Sequence, residues 1–172
     1  MKRKNEAHET VINCLTVATL QLMERKAFSE ITVSELCKRA GVSRVSFYRN
    51  FNSIQDILAT YLKKSTDDWW GEFVKKPEVD FYETFWQELL EQYKKNDKLI
   101  HLLVKNNLSY ILKDHIFSCC GPTPEDNPQT AYIRAILAGA IYSLVDEWIR
   151  RGMTDIPNAI NLRKLVDIYN IS

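Results

Sequence analysis

Between Ser43 and Asn50 the chain reads SRVSFYRN, a run that sets hydroxyls and guanidinium groups around aromatic rings. Ser43, Ser46 and Tyr48 offer hydroxyls that can hold phosphate oxygens, and Arg44 and Arg49 can reach phosphate or the O6 and N7 edge of a guanine. This is chemistry for gripping a nucleic-acid backbone and reading base edges. It is not chemistry for making or breaking bonds. No nucleophile and base at working distance, no phosphate loop and no metal-ligand spacing appears in the chain, so an enzyme has little support.

Such groups act together only if a rigid element carries them on one face, and the flanking residues specify one. Phe47 and Phe51 lie four apart and are expected to point inward, which leaves Arg44, Val45, Ser46, Tyr48, Arg49 and Asn50 over the remaining faces. At 1.5 Å per residue the helix is about 12 Å long, and the major groove is roughly 12 Å wide. Ser43 stands ready to cap it, and free N–H groups at its start add to the phosphate-holding surface. Just before it, Val33, Leu36, Cys37 and Ala40 recur at helical spacing and predict a two-turn helix. Thr32 and Glu35 have the spacing of a capping box at its start, and Gly41 can end it in the left-handed conformation. Two short helices hinged at a glycine follow, with Thr32, Ser43, Arg44, Val45, Ser46, Tyr48, Arg49 and Asn50 as candidate DNA-binding residues.

From about Val11 to Leu58 the chain resembles the DNA-binding domain of the TetR/AcrR family of bacterial transcription regulators. A long first helix, Phe28 and the Thr32 to Ala40 helix are followed in the family's register by Ala40, Gly41, Val42, Ser43, Ser46, Phe47, Tyr48 and Phe51. Departures are as informative. Val45 stands where the family usually has glycine, Asn50 where it often has histidine, and Ala27 where a glycine commonly closes the first helix. Ile54 replaces a lysine that the family usually sets at the start of the fourth helix against a phosphate. The resemblance implies an all-α fold, with a three-helix DNA-binding domain over residues 1–52 and a larger effector-binding and dimerisation domain over 53–172, joined by the helix that starts near 53. It also implies a homodimer on a palindromic operator, repression as the commoner outcome with activation as the alternative, and a small apolar or aromatic effector.

Charge is distributed accordingly. Residues 1–64 carry eleven Lys and Arg against six Asp and Glu, net +5, while the rest carry twelve against sixteen, net −4. Lys2, Arg3 and Lys4 read as a short basic tail, either a solvated terminus or an arm for a neighbouring minor groove. The N-terminus lacks the apolar core of a secretory signal, and uncharged helical stretches such as 135–145 fall short of the about 20 residues of a membrane span, so cytoplasmic residence is expected. Cys14, Cys37, Cys119 and Cys120 lack C-x-x-C spacing and read as thiols, with a redox role for the vicinal pair as the alternative. The histidines are too scattered to suggest a metal site, and no cofactor is called for.

Beyond the motif the chain keeps helical spacing. Ser53 and Asp56 mark the start of a fourth helix running toward Phe73 before Pro77. Helices are expected over about 81–93, 99–105 and 108–119, and the three prolines of GPTPEDNP, residues 121–128, force a loop. In the next helix, about 129–151, Ile133, Ile136, Leu137, Ala140, Ile141, Leu144, Val145 and Trp148 form a stripe expected to bury against the chain's own core. A second face with Ala135, Gly139, Tyr142 and Ser143 would admit another helix. A last helix is expected after Pro157, with Leu162, Leu165, Val166 and Tyr169 on one side; this pair of helices is the expected dimer contact. Fourteen of nineteen aromatic residues follow Lys64, and Trp70, Phe73, Trp86, Tyr93, Tyr110, Phe117 and Tyr142 are the candidate pocket residues, with ordinary core packing as the alternative. The competing functional reading is a helical interaction module whose N-terminal hairpin holds a protein, or a regulator answering to a protein partner.

Overall fold

Four capping side chains set where the helices start. In the computed structural model, which describes residues 2–155 and of these 2–8 and 78–83 by backbone alone, Thr32, Ser43, Ser53 and Asn127 each accept a hydrogen bond from the backbone N–H three residues on. Each satisfies a donor that the first turn would otherwise leave open. The helices are α1 (Lys2–Arg25), α2 (Val33–Ala40), α3 (Arg44–Asn50), α4 (Ile54–Phe73), α5 (Glu78–Lys94), α6 (Asp97–Lys105), α7 (Ser109–Cys120) and α8 (Pro128–Arg150), with a single 3-10 turn at Phe28–Glu30. No strand occurs among the described residues, so the fold is all-α. The helix expected after Pro157 lies outside them.

Gly41 ends α2 with φ +66°, and the Val42 N–H donates to Cys37 O, the closing bond of a left-handed helix cap. The Thr32 cap forms as its spacing suggests, but the Glu35 carboxylate does not return to the Thr32 N–H; it pairs with Lys26 instead. A cation held beside it by the preceding turn outcompetes a neutral amide. Ala27 enters the 3-10 turn at φ −61°, which any residue adopts, so no glycine is needed to close α1. Lys2, Arg3 and Lys4, expected as a tail, are the first residues of α1.

A single buried cluster runs from Leu15 to Met153, and α4 carries it from the first three helices to the later ones through Ile57, Leu58 and Leu62. Polar ties reinforce it. Ser65 on α4 accepts from Gln92 through both its carbonyl, at 2.7 Å, and its hydroxyl, at 2.8 Å, and from Asn96 at 2.8 Å. Asn106, beyond α6, accepts the Phe28 N–H at 2.8 Å, and Lys98 meets Glu24 at 2.6 Å, so α6 is clipped to α1 and the turn after it.

The stripe expected to bury on α8 divides. Ile141, Val145 and Trp148 are buried, joined by Ala138, while Ile133, Ile136 and Leu137 are exposed, Ile136 to 73%. At 100° per residue the eight expected positions span about half the helix circumference, more than one packed neighbour covers. On the second face Ala135, Gly139 and Tyr142 are half-buried and Ser143 is exposed, and a side chain at Gly139 would meet nothing within 4 Å.

Candidate nucleic-acid interface

The ring of Phe47 fixes which way α3 faces. It is fully buried, packs 6.1 Å from the Phe51 ring and takes the edge of Tyr48 at 5.0 Å and 87°. With Phe47 inward, Ser43, Arg44, Val45, Tyr48 and Arg49 stand exposed, and Thr32 does so at the start of α2. Tyr48 is 55% exposed, yet its ring is braced by Phe47, so its hydroxyl projects from an anchored base.

Ser43 accepts the Ser46 N–H at 3.1 Å and donates to the Ser46 hydroxyl at 3.1 Å, which leaves the proton of Ser46 for an outside acceptor. Asn50 behaves otherwise. Half-buried, it donates to Ser46 O at 2.6 Å, bonding its own helix rather than facing out. A side-chain amide four residues on competes well for that carbonyl.

Residues 32–51 hold Lys38, Arg39, Arg44 and Arg49 against Glu35 alone, four cations to one anion. Glu35 is neutralised by Lys26, and Arg39 donates to Gln21 at 2.9 Å. Arg44, Arg49 and Lys38 have no ion pair among the described residues, so the charge of the two arginines is uncompensated on the face that α3 presents, and Lys38 adds an exposed cation on α2. Lys38 is not among the candidate DNA-binding residues that the motif suggests, although it lies in the last turn of α2, three residues before the Gly41 hinge.

The N-terminus of α4 contributes less. Ile54 is buried in the core, and Asp56 accepts the N–H groups of Asn52 and Ser53 at 2.9 and 3.1 Å. Desolvation raises the Asp56 pKa, but hydrogen bonds from Ser53 and Asn52 outweigh it and hold the carboxyl below its ordinary range. A phosphate approaching this end meets an anion and no lysine.

Residues 15–61 match the sequence model for bacterial regulatory proteins of the tetR family. Over those residues the chain carries a TetR-family DNA-binding domain. Among solved structures, Lin0861 from Listeria innocua is similar, with a TM-score of 0.63 at 20% identity over 94% of this chain and 87% of that one, a likeness of fold. No curated protein matches in sequence. No helix among the described residues is long and apolar enough to cross a membrane.

The later helices of the regulator do not gather the seven candidate pocket residues. Phe73 and Tyr93 are buried in the helical core, Trp70 and Tyr110 are exposed, and Trp86, Phe117 and Tyr142 are half-buried. Phe73 stacks among Trp69, Trp70 and Phe85 at ring distances of 5.2 to 6.1 Å. One cleft of about 390 Å³ beside Trp69 is lined mainly by Lys76, Gln87, Glu88, Glu91 and Lys95. Another, of about 400 Å³ between α4 and α7, takes in Tyr110 with Asp56, Lys63, Asp114 and His115. The first is rimmed by long charged side chains, whereas the second, despite the charged groups at its edge, presents a mostly apolar surface that includes Ala59, Tyr110 and Ile111.

Proposed function

We propose that the chain is a dimeric regulator that holds a palindromic operator through α3 and releases it when a ligand or partner engages the later helices. Residues 1–52 form the DNA-binding unit and 53–172 the effector-binding and dimerisation unit. Arg44, Ser46, Tyr48 and Arg49 hold the DNA, with Thr32, Ser43 and Val45 on the same face. The observation that carries this is the uncompensated charge of Arg44 and Arg49 beside the braced Tyr48 ring, on a capped helix inside the residues that match the family. In the cell the regulator works in the cytoplasm.

Dimerisation is supported by Tyr132, Ile133, Ile136 and Leu137, four large apolar side chains exposed on successive turns of α8. A surface of that kind favours a second apolar surface, and a twofold copy supplies one. A twofold dimer sets two recognition helices on successive major grooves about 34 Å apart, hence the palindrome. The second half of the expected contact, about 157–170, lies outside the described residues. The cleft beside Trp69 suits an effector with charged or hydrogen-bonding groups, while the mostly apolar cleft between α4 and α7, with Tyr110 and Ile111, suits the small apolar or aromatic effector that the resemblance implies.

A gel shift against the promoter region beside its own gene, repeated over a salt series, tests the reading. Binding that weakens with salt, and that Arg44→Ala and Tyr48→Ala each reduce at least tenfold while the fold is kept, supports it. Wild-type binding by both variants removes α3 from the interface, and absence of salt-sensitive binding favours a protein-interaction module.

A further inference from the structure

Val45 is an apolar side chain for which the chain itself has no use. Of the three valines in the motif, Val33 and Val42 pack against the core, while Val45 stays outside it at 62% exposure. A β-branched residue on the open face of a short helix also lowers helix propensity slightly, so neither packing nor local preference accounts for it. At 100° per residue Val45 and Arg49 lie opposite the inward line of Phe47, and Arg44 and Tyr48 flank them on one side. A helix pressed into a groove with Phe47 behind it leads with Val45 and Arg49.

Only one of the four bases turns an apolar group toward the major groove: thymine, through its C5-methyl. Resting on the DNA-binding reading above, we propose that Val45 is a specificity-determining residue whose methyl groups pack on the C5-methyl of a thymine in each operator half-site, beside the group that Arg49 engages. Water is expelled between two apolar groups there, and a cytosine or a purine at that place would set polar atoms against the valine instead.

The test uses the full-length protein and a duplex it selects itself from a random-sequence pool. Each thymine of the half-site is replaced by uracil in turn, symmetrically in both halves, which removes a methyl and nothing else. Wild type and Val45→Ala are then titrated on every duplex at one salt concentration. At one thymine the wild type is expected to lose about fourfold per half-site, the factor that burying one methyl-sized group supplies. At the same place Val45→Ala should not distinguish thymine from uracil. If the variant loses as much as the wild type at every position, or the wild type loses nothing anywhere, the assignment of Val45 is overturned. Arg44→Ala separates this from the broader reading: its loss of binding with no methyl coupling at Val45 keeps the DNA interface and discards the valine contact. A wild type that selects no sequence discards both. Exposure of Val45 makes the alanine variant safe for folding, which thermal unfolding checks.

Discussion

Helices α3 and α8 are each half-buried and half-exposed, yet they expose opposite chemistry. α3 turns Phe47 inward and shows guanidinium groups, hydroxyls and one valine to the solvent. α8 turns Ala138, Ile141, Val145 and Trp148 inward and shows Tyr132, Ile133, Ile136 and Leu137. In α3, Val45 and the Tyr48 ring apart, the division between apolar and polar residues coincides with the division between inside and outside. In α8 apolar residues lie on both sides, and burial alone tells them apart. What a helix leaves exposed selects its partner: uncompensated cations favour phosphate, whereas exposed isoleucine and leucine favour another apolar face.

The sharpest way to break the comparison is to remove the side chain that orients α3. Phe47→Ala empties a fully buried site, and a loss of about 3–5 kcal/mol in urea unfolding is expected, with DNA binding failing alongside it. On α8 the corresponding change acts between molecules. Ile136→Glu, on a side chain 73% exposed, should leave monomer stability within about 0.5 kcal/mol. In sedimentation velocity it should raise the dimer dissociation constant about 30-fold, the effect of losing one well-packed interface residue. An unchanged constant would mean that this face is not the dimer contact.

A smaller effect distinguishes the connection between α4 and α7. His115 is buried, with Nε2 2.9 Å from the Thr66 hydroxyl on α4. Desolvation lowers its pKa from the ordinary 6.5, against the opposing pull of Asp67 and with help from Lys63. The unfolded chain therefore takes up a proton at a higher pH than the folded one. Stability from this group is whole above 6.5 and declines as pH falls from there toward the lowered value, by no more than about 1.4 kcal/mol per pH unit. His115→Gln should flatten that slope in thermal unfolding measured over pH. An unaltered slope would place the titration elsewhere.

Much of the first half was legible because each local signal agreed with the next. The Thr32, Ser43 and Ser53 caps, the Gly41 hinge and the inward pair Phe47 and Phe51 all act within four residues of themselves, at distances helix geometry alone controls. That Asn50 bonds the Ser46 carbonyl of its own helix is not legible in the same way, because periodicity carries no information on the competition between that carbonyl and solvent. The pocket residues were hardly legible, since an aromatic ring is equally suited to fill a core or to line a cleft. Phe73 and Tyr93 went to the core, and the clefts acquired charged rims.

By itself the sequence determined the helices, their caps, the hinge and the chemistry carried by α3, because backbone hydrogen bonding and side-chain periodicity are local. Only the tertiary structure decided that Ile54 belongs to the core, that Glu35 pairs with Lys26, that Asn106 ties α6 to the turn after α1, and which half of the apolar circumference of α8 remains open. Those outcomes depend on which distant surfaces meet, and a helix that is apolar on many sides has no local preference among them.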